Sequence, residues 1–318
     1  MTTTPDPAAA AQTLYVESTG NEDPDESAAP QEQGKPKSHG QLADMWRRFR
    51  RNKLALGGLV VVGILIILAL LQPFISPYDP YDQNLMNTLA APGGNHLMGT
   101  DALGRDLFSG LLYGLRLALK VGLLTMLGAM IVGTGLGALA GFRGGIADAL
   151  VMRTTDIFLA FPFLIGAILV VRTFGSSEWT VILALVILGW PTAARLMRGQ
   201  MLALREAEYV EAARSIGASD WRIVTRHILP NAIQPVFIYS FTSIGIAVVA
   251  MASLAYLGVG VPPDTPEWGR MINMGIEQVQ VEGKDYLWMF PSAAICVTTL
   301  AFAFVSDGLR DALDPKLR

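Results

Sequence analysis

Leu54-Ala-Leu-Gly-Gly-Leu-Val-Val-Val-Gly-Ile-Leu-Ile-Ile-Leu-Ala-Leu-Leu71 runs for eighteen residues without a charge. Wound as an α-helix it is about 27 Å long, close to the thickness of a bilayer's hydrocarbon core. This stretch decides the class: an all-α membrane protein. Composition agrees, because 16% of the residues are charged and 52% hydrophobic, whereas soluble domains carry about 25% charged residues. The lipid membrane is therefore the first partner. A formal net charge of −3 gives no reason to expect nucleic acid.

Working outward, further spans are predicted near residues 121–142, 155–171, 179–202, 235–257 and 288–305, about six transmembrane helices in all. The second holds Gly128, Gly133, Gly135, Gly137 and Gly141, small residues that let helices approach closely in lipid. Phe161-Pro162 and Pro191 are expected to kink the third and fourth. Cys296 is alone in the sequence, so it has no internal disulfide partner and no metal-ligand spacing, and it is expected to be a small buried apolar residue.

Arg47, Arg48, Arg50, Arg51 and Lys53 crowd the start of the first span and place the N-terminus in the cytoplasm. The loops near 76–110, 172–178 and 259–286 then fall outside. Residues 195–232 fall inside with Arg195, Arg198, Arg205, Arg214, Arg222 and Arg226, as does the C-terminal tail. Arg116 and Lys120 dissent at the outer end of the second span, and are expected to line a watery or protein-packed region. Residues 1–40 lack large apolar side chains and are read as a disordered cytoplasmic tail. No apolar stretch precedes residue 54, so a cleavable signal peptide is not expected. The resulting organisation is a tail (1–40), a basic juxtamembrane segment (41–53), a first helix running into the outer loop (54–75), the outer loop (76–110) and a core domain (111–318).

The segment 205–235 is too polar to span. Residues 205–216 favour helix, Gly217 is a stop or sharp turn, Ser219 or Asp220 caps a second short helix through Ile228, and Pro230 ends it. A helix, a bend and a helix between two spans suit docking into a groove of a soluble partner. An ordinary charged loop would show the same spacing.

Glu211-Ala212-Ala213, three residues, Gly217 and then Leu229-Pro230 resemble the EAA loop of ABC importer permeases, with His227 where the general pattern has isoleucine. Arg226-His227-Ile228-Leu229-Pro230-Asn231 is similar to the family's peptide and nickel branch. His96 to Asp106, with Gly99, Thr100, Asp101, Gly104, Arg105 and Asp106, resembles a signature of that branch's second, C-type permease. Arg195 to Gln200, Leu257 to Gly269 and Asp307 to Pro315 carry the likeness further, so that it covers about residues 41–318.

The resemblance implies a type I ABC importer permease fold in a bacterial-type plasma membrane, with both termini cytoplasmic. It implies a heterodimer with a homologous permease, two ATPase subunits that bind ATP and Mg, and an extracytoplasmic substrate-binding protein. Glu211, Ala212, Ala213, Gly217, Ala218, Leu229 and Pro230 would then form the coupling loop to the ATPase, with Ala212 and Ala213 offering a small surface for close approach. The outer signature would either contact the binding protein or pair its own Asp and Arg. The 257–269 loop would face the binding protein or the path.

No Walker A pattern is present: Gly34-Lys35 is followed by proline and Gly283-Lys284 by aspartate. The chain is therefore expected to be non-catalytic and to bind no cofactor. An ion-coupled transporter would need ionisable groups near the bilayer centre. Asp148, Arg153 and Asp156 are expected at the cytoplasmic end of the third span instead, pairing locally. A membrane enzyme finds no support in His39, His96 and His227, which fall in three separate polar segments. Peptides are favoured over nickel or another small ligand from the breadth of the branch. Residues lining the path are not legible.

Overall fold

The computed structural model describes residues 41–282 and 284–313. The expected 1–40 tail and the last five residues, Asp314 to Arg318, lie outside them. The helices are α1 (Gln41–Phe49), α2 (Lys53–Ile75), α3 (Leu107–Arg143), α4 (Gly145–Ala160), α5 (Phe163–Phe174), α6 (Glu178–Arg205), α7 (Glu208–Ser215), α8 (Asp220–Ile223), α9 (Leu229–Tyr256), α10 (Trp268–Glu282) and α11 (Tyr286–Leu313). A π-helical turn, Val224–Ile228, joins α8 to α9. Among the described residues, α2, α3, α6, the α8-to-α9 run and α11 are long and apolar enough to cross a membrane.

The third predicted span is not one helix. Its residues are divided between α4 and α5, which meet at 92° around Phe161-Pro162. Pro162 removes an amide donor where the ladder would continue, and Phe161 is extended with ψ 132°, so the expected kink becomes a full break. Pro191 does the opposite and sits inside an uninterrupted α6. Pro230 does not end a helix either. The amide of Leu229 bonds to the carbonyl of Val224 in the wider turn, and Pro230 then occupies the first turn of α9, where a missing N–H is harmless.

α3 begins at Leu107 and has 37 residues, about 55 Å of helix, well beyond the apolar stretch predicted. Its extra turns carry Arg116 and Lys120, and both find protein partners. Arg116 donates to Gln72 of α2 at 3.3 Å. Lys120 pairs with Glu178 and lies 5.5 Å above the Trp179 ring. Within the stretch 259–286 expected to be a loop, residues 268–282 form α10, while 257–267 have no regular helix or strand. Cys296 is exposed on α11 rather than buried, because the apolar run that contains it turns that face away from the chain's own core.

Close helix contact organises the core. A Cβ on Gly133, Gly137 or Gly141 would lie 2.5 Å from Ala193 Cβ, 2.3 Å from the Ala194 carbonyl oxygen and 2.6 Å from Met201 Cβ respectively. These three glycines recur every fourth residue, so one face of α3 lies flat on α6. Gly135 points elsewhere, with nothing within 4 Å. At the opposite edge Gly308 of α11 meets Ala55 of α2. Asn52, which caps α2 through the amides of Leu54 and Ala55, also donates to Asp311 at 3.0 Å.

Candidate functional site

The outer signature is an internal brace. Asp101 accepts from the amides of Leu103 and Arg105 and from the Arg105 guanidinium at 2.7 Å. Asp106 caps α3 by accepting from the amide and hydroxyl of Ser109, both at 2.8 Å, and contacts His96 Nδ1 at 3.0 Å. Thr100 has no exposed surface; its hydroxyl donates to the Asn87 carbonyl and accepts the Ala90 amide. Gly99 and Gly104 have φ of +84° and +73°. A Cβ on Gly104 would sit 1.9 Å from the Asn84 carbonyl oxygen, so only glycine fits. Of the two expected roles for this Asp and Arg, the structure shows the pairing.

The same end of the bundle is completed by Trp268, buried against Gly114 and donating through Nε1 to the Leu111 carbonyl at 3.0 Å. Beside it Glu267 is fully buried. Burial pushes its carboxyl up to about 7, against the amides of Arg270 and Gly269 and the Arg270 charge, which pull it down. The Arg270 guanidinium donates to the Pro262 carbonyl at 2.8 Å.

The 205–232 segment is a helix, a bend and a helix. α7 ends in a Schellman cap: the Gly217 amide bonds to the Arg214 carbonyl at 2.9 Å and the Ala218 amide to the Ala213 carbonyl at 3.0 Å. That closure needs a residue in the left-handed region, and Gly217 has φ +80°. The Glu-Ala-Ala-x-x-x-Gly-Ala string is thus a helix followed by its own stop signal. Ala213 turns inward with Val210, Ile223 and Ile228, and packs with Met197 and Met201 of α6 and Ala232 and Val236 of α9. The two alanines therefore differ from expectation: Ala212 is exposed and Ala213 belongs to the interior, since consecutive helical residues lie about 100° apart. Ile228, next to the departing His227, supplies the buried isoleucine.

Outward, Ile216 is 85% and Trp221 77% exposed. Glu211, Arg214, Asp220 and Trp221 border a groove of about 1460 Å³ that reaches Gly135 and Phe142 of α3. Leu229 is part-buried at its edge and Pro230 is exposed.

A cavity of about 200 Å³ lies between α3, α4, α5, α6 and α9, with Thr125, Thr192, Tyr239, Ser240 and Ser243 in its lining. One turn from Thr192 stands Arg195, and one turn from Leu159, also lining, stands Asp156. These two pair at 2.8 Å while each remains more than half exposed. Asp148 is held by Arg198 of α6. The acidic residues of α4 therefore pair across to α6, not locally. The broken span conceals this in the sequence. Hydroxyls scattered singly through apolar runs carried no signal that they converge.

Residues 133–318 match the family described as the binding-protein-dependent transport system inner membrane component, and residues 40–92 the N-terminal TM domain of oligopeptide transport permease C. The glutathione transport system permease protein GsiD of Pectobacterium atrosepticum is 41% identical over 86% of this chain and 91% of its own. The oligopeptide transport system permease protein OppC of Bacillus subtilis is 39% identical over 86% and 90%. The dipeptide transport system permease protein DppC of Alkalihalophilus pseudofirmus is 37% identical over the same shares. In fold, the chain resembles a subunit of the MetNI methionine ABC transporter in inward-facing form, with TM-score 0.51 and 19% identity over 64% of this chain and 97% of that one. The chain belongs to the binding-protein-dependent transport permeases, as a multi-pass membrane subunit of the C type in their peptide-type branch.

Proposed function

We propose that this chain forms half of the translocation path of an ATP-driven importer of dipeptides or oligopeptides, and couples to ATPase subunits through residues 205–232. The observation that supports the coupling most is the two-sidedness of that segment. Ile216 and Trp221 stand in solvent above a groove, while Val210, Ala213, Ile223 and Ile228 are packed onto α6 and α9. A partner gripping the outer side would therefore move two membrane-crossing helices as it moved. Nucleotide then acts by differential affinity for two arrangements of the assembly. Energy comes from outside the chain, which lacks a Walker A pattern.

The partners in this reading are a homologous permease, two ATPases holding ATP and Mg, and an extracytoplasmic binding protein, with both termini on the ATPase side. Peptide cargo is supported by relatives named for glutathione, dipeptide and oligopeptide transport. The test is a mild-detergent pull-down of the tagged chain from native membranes, with mass spectrometry. Recovery of a second permease and Walker A ATPases, lost on replacing Gly217 and Glu211, is expected. Recovery of the chain alone, or as a homodimer, would sink the assembly.

A further inference from the structure

We infer that the basic elbow between α1 and α2 holds the phosphate headgroup of an anionic phospholipid from the adjacent leaflet. The elbow is a fixed corner. Phe49, 7% exposed, clusters with Ala55 of α2 and Ala312 of α11, and its ring edge stands 2.9 Å from where a Cβ on Gly308 would lie. Trp46 stacks on Phe49, with 5.9 Å between centroids and 8° between planes, yet is 48% exposed. The amides of Arg50, Arg51 and Asn52 bond back to the carbonyls of Trp46, Arg48 and Phe49, and Asn52 caps α2. Arg50, Arg51 and Lys53 are thus carried on a hydrogen-bonded turn anchored to two membrane-crossing helices.

The depth of the elbow follows from α2. Its 23 residues make about 34 Å of helix, against about 30 Å of hydrocarbon. Leu54, directly after Lys53, is apolar and 65% exposed, and Val60 is 56% exposed, so the lipid-facing surface starts where the elbow ends. Arg50 and Arg51 lie within three residues of Lys53, about 10 Å of chain at most, which sets all three at the headgroup layer. All three are exposed. Elsewhere on the membrane-crossing helices Lys120, Arg195 and Arg198 find carboxylates on other helices. Among the described residues Arg50, Arg51 and Lys53 form no ion pair, and Asp311, the α11 acid that meets the elbow, accepts from Asn52 instead. Their counter-charge therefore comes from outside the chain, and the anion present at that depth is lipid phosphate. A basic residue beside an anionic leaflet contributes about 1 kcal/mol, near fivefold in affinity, and an exposed tryptophan is at home among headgroups. A soluble acidic partner would match the charges, but the elbow runs without a break into a lipid-facing helix surface, and this favours lipid.

The full chain is purified in mild detergent with the subunits that accompany it, stripped of lipid, and offered dioleoylphosphatidylglycerol or dioleoylphosphatidylcholine at equal concentration. Bound lipid is counted by native mass spectrometry. Expected in Arg50→Gln/Arg51→Gln/Lys53→Gln is the loss of one phosphatidylglycerol per copy of this chain, binding there being weakened about tenfold or more, with phosphatidylcholine unchanged. Arg214→Gln/Arg222→Gln/Arg226→Gln removes the same charge from other exposed positions and should match the parent. Arg50→Lys/Arg51→Lys keeps the charge and should keep the lipid, which separates lost charge from lost folding. Glycerol phosphate in excess, the headgroup without its tails, should not displace the lipid, because acyl chains supply much of the affinity. Equal phosphatidylglycerol counts in the parent and the first variant, an equal loss in the second, loss in the lysine variant, or displacement by glycerol phosphate would overturn the inference. So would loss of an accompanying subunit from the first variant at an unchanged lipid count, which would assign the elbow to a protein partner.

Discussion

Arg198 holds both oxygens of Asp148, Nη2 lying 2.7 Å from Oδ2 and Nε closing the fork on Oδ1. The contact ties α4 to α6 across a helix break. Each side chain is less than one-third exposed, so solvent screens the pair only in part. Replacing Asp148 with Asn is expected to cost about 1–2 kcal/mol, read as a lower midpoint of thermal unfolding in detergent. Arg198→Lys should fall between, because an ammonium cannot make the fork. An unchanged midpoint in both would show that the pair contributes nothing.

The glycine face of α3 makes a sharper contrast. Gly137→Ala puts a methyl where the Ala194 carbonyl already sits, and overpacking of that kind costs about 1–3 kcal/mol or more. Gly135→Ala meets nothing within 4 Å and should be neutral or slightly stabilising, since alanine outranks glycine in a helix by about 1 kcal/mol. Fluorescence-detected size exclusion on heating would separate the two. Equal behaviour would mean that α3 and α6 do not meet as described.

Much of this was legible beforehand, and the reason is physical. Length without charge marks α2, α9 and α11 because lipid tolerates little else. Gly217 was readable as a bend because a Schellman cap leaves few residues a choice. Proline was read less well, since its effect depends on the turn around it: Pro162 breaks a span, Pro191 is absorbed, and Pro230 starts α9 behind a π-helical turn. Arg116, Lys120, Asp148 and Asp156 find partners on other helices, and partner identity is a tertiary fact. The hydroxyls of the central cavity come from helices far apart in sequence and only meet on folding.

Glu267 should make stability depend on pH in the less common direction. Its folded-state carboxyl stands at about 7, against about 4.5 when exposed. Between those values the folded chain keeps a proton that the unfolded chain has released, so stability falls as pH rises through that window and stays lower above it. Glu267→Gln keeps an acceptor for the Arg270 amide, which now lies 3.1 Å from the carboxylate, and carries no charge to bury. The variant should melt higher than the parent at pH 8 and match it near pH 4.5. A parent whose melting rises from pH 5 to 8, with Arg270 and Arg105 nearby compensating the charge, would contradict this.

Trp221 tests the proposed docking face apart from folding. It is 77% exposed, so Trp221→Ala removes little packing and should leave the melting curve of the isolated chain within about 0.5 kcal/mol of the parent. An exposed tryptophan is the residue type most often found at the energetic centre of an interface, where truncation costs about 2 kcal/mol or more, near a thirtyfold weaker association. Gly217→Val acts differently. There is room for the side chain, but at φ +80° a β-branched residue resists the left-handed turn, and the Schellman closure that aims α8 should loosen. Gly217→Asn should be tolerated better, because asparagine enters that region more readily. ATPase recovery in the pull-down, ranked parent, Gly217→Asn, Gly217→Val with Trp221→Ala low at unchanged stability, would mean that the bend aims the loop and the tryptophan holds the partner. Full recovery with Trp221→Ala would move the contact to Ile216 or to the groove beside Glu211.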